Sequence, residues 1–264
     1  MTISRVAVNY ASLFANGTLT AGTTGTSWQN EVRVADYFIN RIATTAGTPS
    51  GLSWIKVDQG ATVANYVSPN RIIIPALHNL DAALTLEYNS SDSWPGTPVT
   101  LSDDTPTSGE LYSATFTKVT GAAENQWWRL SFTKTDEALE VPEVWLTEKV
   151  ILGQSESGSE DYNIESPAEL SIAPNLLVQR TREGVRSAVQ LGSSLRSLTL
   201  IGNLVSASSY ADWAGLIDGV DEGLRPLFVD DPVGALWFAE MELRKREVTK
   251  NERWNLEIAL RELP

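Results

Sequence analysis

The chain is poor in side chains that carry out covalent chemistry. Its 264 residues include one histidine, His78, and no cysteine. Thiolate nucleophiles, thiolate metal sites and most Ser-His-Asp arrangements are thereby removed. His78 sits in His78-Asn79-Leu80-Asp81, a polar corner where its expected part is a turn hydrogen bond. Two carboxylates can hydrolyse a glycoside, and Asp103-Asp104, Glu160-Asp161 and Asp230-Asp231 are adjacent pairs. The first two lie in polar loops and the third precedes Pro232, so they read as solvated charge and a turn. The Gly/Thr/Ser stretch Ala21–Ser27 lacks the lysine and the strand–loop–helix setting of a phosphate cradle. No catalytic residue is expected, and the chain reads as a non-enzyme.

Aromatic side chains in loops are the more informative feature. Trp28 closes the Ala21–Ser27 loop, and Trp94 stands in Asn89–Gly96 two residues after Asp92. An indole at a strand end can stack on a sugar ring, which makes Trp28, Trp94 and Asp92 the candidate glycan or partner contacts. Equally, each indole could plug the end of its own sandwich, because large aromatics are mostly buried. Trp54, Trp128 and Trp145 alternate within apolar strands and are expected in the core.

The elements that would position these residues are short strands. Trp54–Val67 alternates, turns at Gln59-Gly60 and alternates again, the pattern of two strands with a tight connection. Arg71–Pro75 is a β-branched run, and Ala83–Tyr88 puts Leu84, Leu86 and Tyr88 on one face. Pro98–Leu101, Leu111–Lys118, Trp127–Phe132 and Val144–Gly153 follow, with polar loops between them. Residues 29–41 fit a short helix or a strand equally well. This is the pattern of an antiparallel sandwich.

Gln154–Asp161 contains no apolar residue, so residues 154–166 are expected to link residues 1–153 to a second domain, 167–264. Strands are expected at 176–179, 185–191, 196–201, 227–229, 235–243 and 254–263. Ser208-Ser209 can cap a helix whose Tyr210, Trp213, Leu216 and Ile217 share a face. The fold class is therefore mainly β, a β-sandwich followed by a small β-sandwich with one helix.

A net charge of −13, with 20 Lys and Arg against 33 Asp and Glu, argues against static binding to nucleic acid. Met1–Arg5 does not begin an apolar leader, and no run approaches the roughly 20 apolar residues of a membrane helix. A soluble protein without membrane insertion is expected.

The corner Trp54-Ile55-Lys56-Val57-Asp58-Gln59-Gly60, with Leu84–Tyr88, Trp128–Phe132 and Glu143–Gly153 in that order, resembles discoidin-like, galactose-binding-like jelly rolls. With Ala15–Ala21, His78-Asn79-Leu80, Arg196–Leu200, Arg225–Val229 and Trp254–Leu263, nearly the whole chain resembles distal tail or baseplate proteins of long-tailed bacteriophages and gene-transfer particles. The resemblance implies a structural role in the virion tail for a protein made in the host cytoplasm. The second domain would form a homohexameric ring that joins tail tube to tip and meets other tail proteins. DNA would pass through only as cargo, and the peripheral jelly roll could hold a host-surface glycan. It implies no cofactor beyond a structural Ca²⁺, for which Asp92 and Asp103-Asp104 could serve. Distal tail proteins place the ring-forming domain first, whereas here the order is reversed.

Overall fold

The computed structural model describes residues 5–9, 12–37, 39–60, 68–119, 126–153, 169–174, 176–180, 186–190, 194–205, 207–231, 233–248 and 253–263. The chain is mainly β, and its contacts divide it into two units. One is Ala11–Lys149; the other joins Met1–Tyr10 to Val150–Pro264.

Ala11–Lys149 is a β-sandwich. Its larger sheet has five antiparallel strands in the order Thr18–Thr23, Leu52–Asp58, Trp127–Thr133, Thr85–Asn89, Thr97–Val99. A three-stranded sheet, Trp145–Thr147, Arg71–Ile74, Tyr112–Thr115, supplies the facing layer. A second three-stranded sheet joins Glu140–Val141, Ala43–Thr45 and Trp28–Gln29. The core follows from the two-residue period of strands. Ile55 and Val57 point inward with Leu86, Trp128, Leu130 and Phe132, and meet Ile72, Ile74, Ala114 and Leu146. Each fully buried Leu, Ile or Phe contributes about 1.5–3 kcal/mol, and Leu130→Ala would cost about 2–5 kcal/mol.

The expected alternation of Leu84, Leu86 and Tyr88 holds, with all three packed on this core. Trp128 and Trp145 are fully buried as expected. Trp54 is not in the core: Ser53, Ile55 and Val57 are buried, so Trp54 is turned to the other face and stays half-buried. The strand expected after Gly60 falls at residues 61–67, outside the described residues. Residues 29–41 are resolved in favour of a 3₁₀ turn, Glu31–Ala35, entered through Asn30 in a left-handed conformation. His78 makes the expected turn bond, its Nδ1 accepting the Leu80 N–H at 3.2 Å.

The other unit is built on a seven-stranded sheet ordered Val150–Gly153, Arg5–Asn9, Leu227–Asp230, Leu236–Val248, Trp254–Glu262, Leu195–Val205, Glu169–Ala173. The helix Ala207–Gly219 packs on it as expected: Trp213, Leu216 and Ile217 are fully buried among Leu198, Leu200, Val229 and Ile258, and Tyr210 is partly buried beside them. A separate hairpin pairs Leu176–Arg180 with Arg186–Gln190.

The boundary differs from the expected one. Residues 154–168 lie outside the described residues, and the break between units falls at Lys149/Val150. The first strand belongs with the far end of the chain. Val8 lies opposite both Val150 and Val229, is fully buried, and brings the buried Asn9, whose Nδ2 donates to Asp230 Oδ2 at 3.4 Å. The sheet unit therefore takes chain from both sides of the sandwich Ala11–Lys149, which is an insert between two of its strands.

Candidate functional site

The alternation that buries Ile55, Val57, Trp128 and Leu130 turns Trp54, Lys56, Trp127 and Arg129 to the opposite face of the five-stranded sheet. Trp127 and Trp128 are neighbours in one strand, so one of them has to face outward. Strand register sets a row across this face: Thr20, Lys56, Arg129, Glu87, Pro98. Lys56 and Arg129 thus oppose each other directly, an arrangement that like charges disfavour.

Two carboxylates and three indoles offset that repulsion. The Lys56 ammonium meets Asp92 Oδ2 at 2.5 Å and lies 5.3 and 5.4 Å from the ring centroids of Trp54 and Trp127. Arg129 donates from Nε and Nη2 to Glu87 Oε2 at 3.0 and 2.6 Å, and its guanidinium lies 4.4 Å from the Trp94 centroid. Such cation–ring contacts contribute about 0.5–2 kcal/mol each. Trp94 Nε1 donates to Asp92 Oδ1 at 2.7 Å. The Asp92 carboxyl is held below its ordinary range, first by the hydrogen bond from Lys56, with Trp94 adding to it and burial opposing.

The backbone is shaped to these rings. A Cβ on Gly22 would lie 2.3 Å from the Trp54 indole, so that ring rests where only glycine leaves room. A Cβ on Gly96 would lie 2.9 Å from the Trp94 ring and 2.6 Å from Tyr88 O. The Gly96 N–H donates to Glu87 Oε1 at 3.2 Å, which ties the Trp94 loop to the charged row. Beside this face, Tyr88, Pro98, Val99, Thr117 and Lys118 line an open depression of about 360 Å³.

Of the three residues expected from sequence, Trp94 and Asp92 come together here. Trp28 does not join them: its Nε1 donates to Gly22 O at 2.9 Å and its ring meets Phe132 edge-on at 6.5 Å, on the core side. Sequence reading missed Trp54, Lys56, Trp127, Arg129 and Glu87. For Trp127, Arg129 and Glu87 the signal was available, since alternation assigns Trp128 and Leu86 inward; for Trp54 and Lys56 it was not, because the sequence reading assigns Trp54 to the core.

The other candidates are taken up locally. Asp103 Oδ1 accepts the Thr105 N–H at 3.1 Å and Asp104 Oδ1 accepts the Thr105 hydroxyl at 2.9 Å. Among the described residues no group of three or more His, Asp or Glu is placed to hold a metal ion. Asp231 Oδ1 accepts the N–H of Val233 and of Ala235, the expected turn, and Glu160-Asp161 falls outside the described residues. Lys134 is buried with its ammonium 2.7 Å from Asp81, 3.2 Å from Glu137 and 3.3 Å from Asp136. Those three carboxylates raise its pKa, the hydrogen bond to Asp81 first.

No family model and no curated protein sequence matches the chain. Among solved structures it is similar to chitosan-binding module 1 of a chitosanase/glucanase from Paenibacillus sp. IK-5, at 19% identity and a TM-score of 0.40. That match covers 51% of this chain and 96% of the module.

The face offers flat apolar rings interleaved with a carboxylate acceptor, a guanidinium and an indole N–H. Sugars present the same mixture, with C–H faces flanked by hydroxyls that both donate and accept. The set contains no nucleophile placed against a base.

Proposed function

We propose that the jelly-roll unit binds carbohydrate along the tryptophan-lined face of its five-stranded sheet. The observation that carries this reading is the gathering of Trp54, Trp127 and Trp94 about Lys56, Arg129 and Asp92. A glycan ring stacks on the indoles while Asp92 and Arg129 address its hydroxyls. On this reading the chain holds its ligand and does not cleave it. Binding of the whole chain to immobilised oligosaccharides of varied charge and linkage tests it. Retention of at least one glycan, weakened about tenfold or more in both Trp94→Ala and Trp127→Ala, supports the proposal. Retention unchanged in both variants, or none on any glycan, overturns it.

The resemblance to distal tail proteins suggests a second reading, in which the sheet unit is a tail scaffold that carries the glycan-binding module. It is favoured by the insertion: the chain leaves the seven-stranded sheet after Asn9 and re-enters at Val150. Purified particles in which mass spectrometry finds the chain at a fixed copy number would support this role, and particles without it would refute it.

A further inference from the structure

The hydrogen-bonding groups left unused on the tryptophan-lined face are donors. Lys56 and Arg129 are in direct cross-strand register, which sets their Cβ atoms about 5 Å apart. An ammonium has three N–H groups, and among the described residues that of Lys56 has Asp92 as its one protein acceptor. The indole faces of Trp54 and Trp127 beside it attract its charge but offer no lone pair. Arg129 donates from Nε and Nη2 to Glu87, and among the described residues its Nη1 meets no protein acceptor.

Three carboxylates share this face, Asp58, Glu87 and Asp92, and they are not equally committed. Glu87 is 7% exposed; its Oε2 takes both Arg129 donors and its Oε1 takes the Gly96 N–H. Asp58, opposite Trp127, has Oδ1 accepting the Gly60 N–H at 2.8 Å and Gln126 Nε2 at 2.9 Å. Asp92 instead stands on the loop between Thr85–Asn89 and Thr97–Val99, 41% exposed, and reaches Lys56 from outside. An ion pair with so exposed a partner adds little stability, because water competes for the carboxylate. Asp92 is therefore the counter-ion of this face that another oxyanion can replace.

We propose that the face selects acidic glycans, and that the oxyanion of a uronate or sulfated sugar takes the place of Asp92 against Lys56 and Arg129. The inference rests on the reading of this face as a carbohydrate site and names its ligand class. A carboxylate or sulfate only accepts hydrogen bonds, which matches a site whose unused groups only donate. A neutral sugar would leave the ammonium with Asp92 and gain weaker bonds from its hydroxyls. The ring that carries the oxyanion lies on the indoles. Asp92, released from Lys56, accepts from a neighbouring hydroxyl and keeps the Trp94 N–H. With a net charge of −13 the chain as a whole repels polyanions, so retention of an acidic glycan reports this face.

The test is calorimetric titration of the whole chain with oligosaccharides of equal length: oligogalacturonate, alginate and sulfated galactan, each beside its carboxyl-reduced or desulfated counterpart, and chitosan. At least one acidic oligosaccharide is expected to bind about tenfold or more tightly than its uncharged counterpart. Preference confined to uronates assigns a carboxylate, and preference confined to the galactan assigns a sulfate. Lys56→Met, which keeps an apolar stem, is expected to remove the preference. Asp92→Asn, which still accepts from Trp94, is expected to strengthen acidic binding about threefold. That gain cannot arise from misfolding, and far-UV circular dichroism checks the fold of Lys56→Met. Neutral or chitosan oligomers that bind as tightly as acidic ones, and are lost in Trp94→Ala and Trp127→Ala, overturn the acidic selection and leave the carbohydrate reading standing. Acidic binding unchanged in both Lys56→Met and Asp92→Asn also overturns it. No binding to any oligosaccharide overturns both.

Discussion

Lys56 and Arg129 are direct cross-strand partners on the outer face of the five-stranded sheet, with Glu87 next along the same row. Two adjacent cations cost stability unless something holds them, and here each has its own carboxylate and its own indole contact. A local rule broken and then locally compensated is where functional sites are to be sought.

The two halves of that compensation differ in depth. Glu87 is 7% exposed, and its carboxylate serves both Arg129 and the Gly96 N–H. Glu87→Ala should cost about 1–3 kcal/mol, because it leaves the half-buried Arg129 guanidinium without its carboxylate beside Lys56. Lys118→Ala, which breaks the exposed pair with Glu148, should cost about 0–1 kcal/mol. Urea unfolding of the two variants compares them, and equal midpoints would contradict the assignment.

Gly22→Ala should dislodge an indole without touching the core. The added methyl would lie 2.3 Å from the Trp54 ring, so the ring must leave its place beside Lys56. We expect overpacking of about 1–3 kcal/mol, a shift in tryptophan emission and weaker glycan binding. Emission and binding like wild type would show that Trp54 is not held by that glycine.

Glu143 makes the β-sandwich lose stability as pH rises from the ordinary carboxyl range to about 8. It is fully buried, with Oε1 accepting the Tyr37 N–H at 3.0 Å. Burial, with a smaller push from Asp36, raises its pKa to about 8, while Trp145 and the Tyr37 amide oppose the rise. Because the folded pKa lies above the unfolded one, the folded state binds the extra proton. The stability this supplies is whole below the ordinary carboxyl range and is lost as pH climbs through about 8. The loss approaches roughly 1.4 kcal/mol per pH unit at its steepest. Glu143→Gln should flatten the thermal-stability profile between pH 5 and about 8; an unchanged slope would place the titration elsewhere.

Fragments should follow the contacts and not the polar linker. Residues 11–149 contain both facing sheets of the sandwich and should unfold cooperatively alone. Residues 162–264 lack Arg5–Asn9 and Val150–Gly153, which leaves Leu227–Asp230 at a raw edge beneath the buried Val229. That fragment should aggregate, and adding residues 150–161 should not rescue it, because Arg5–Asn9 is still missing. A soluble, cooperative 162–264 would refute the shared-sheet reading.

Much was legible because it is local. Alternation along Leu52–Asp58, Thr85–Asn89 and Trp127–Thr133 has a period of two whatever the fold, and the Tyr210, Trp213, Leu216, Ile217 face is a property of helical spacing. From these the sequence by itself determined the mainly β class, the inward residues of Thr85–Asn89 and Trp127–Thr133, and the helix Ala207–Gly219. What it left undecided depends on partners far along the chain. Val8 joins a sheet only because Val150 and Val229 flank it, and no local signal names partners more than 140 residues away. The site has the same character. Trp54 reads as core until the strands on either side are in register, since a hydrophobic side chain in a strand says nothing of which face is covered. Only the tertiary structure set Lys56 against Arg129 and brought Asp92 and Trp94 over them, because cross-strand register is a long-range property and each of those four residues is ordinary in its own segment.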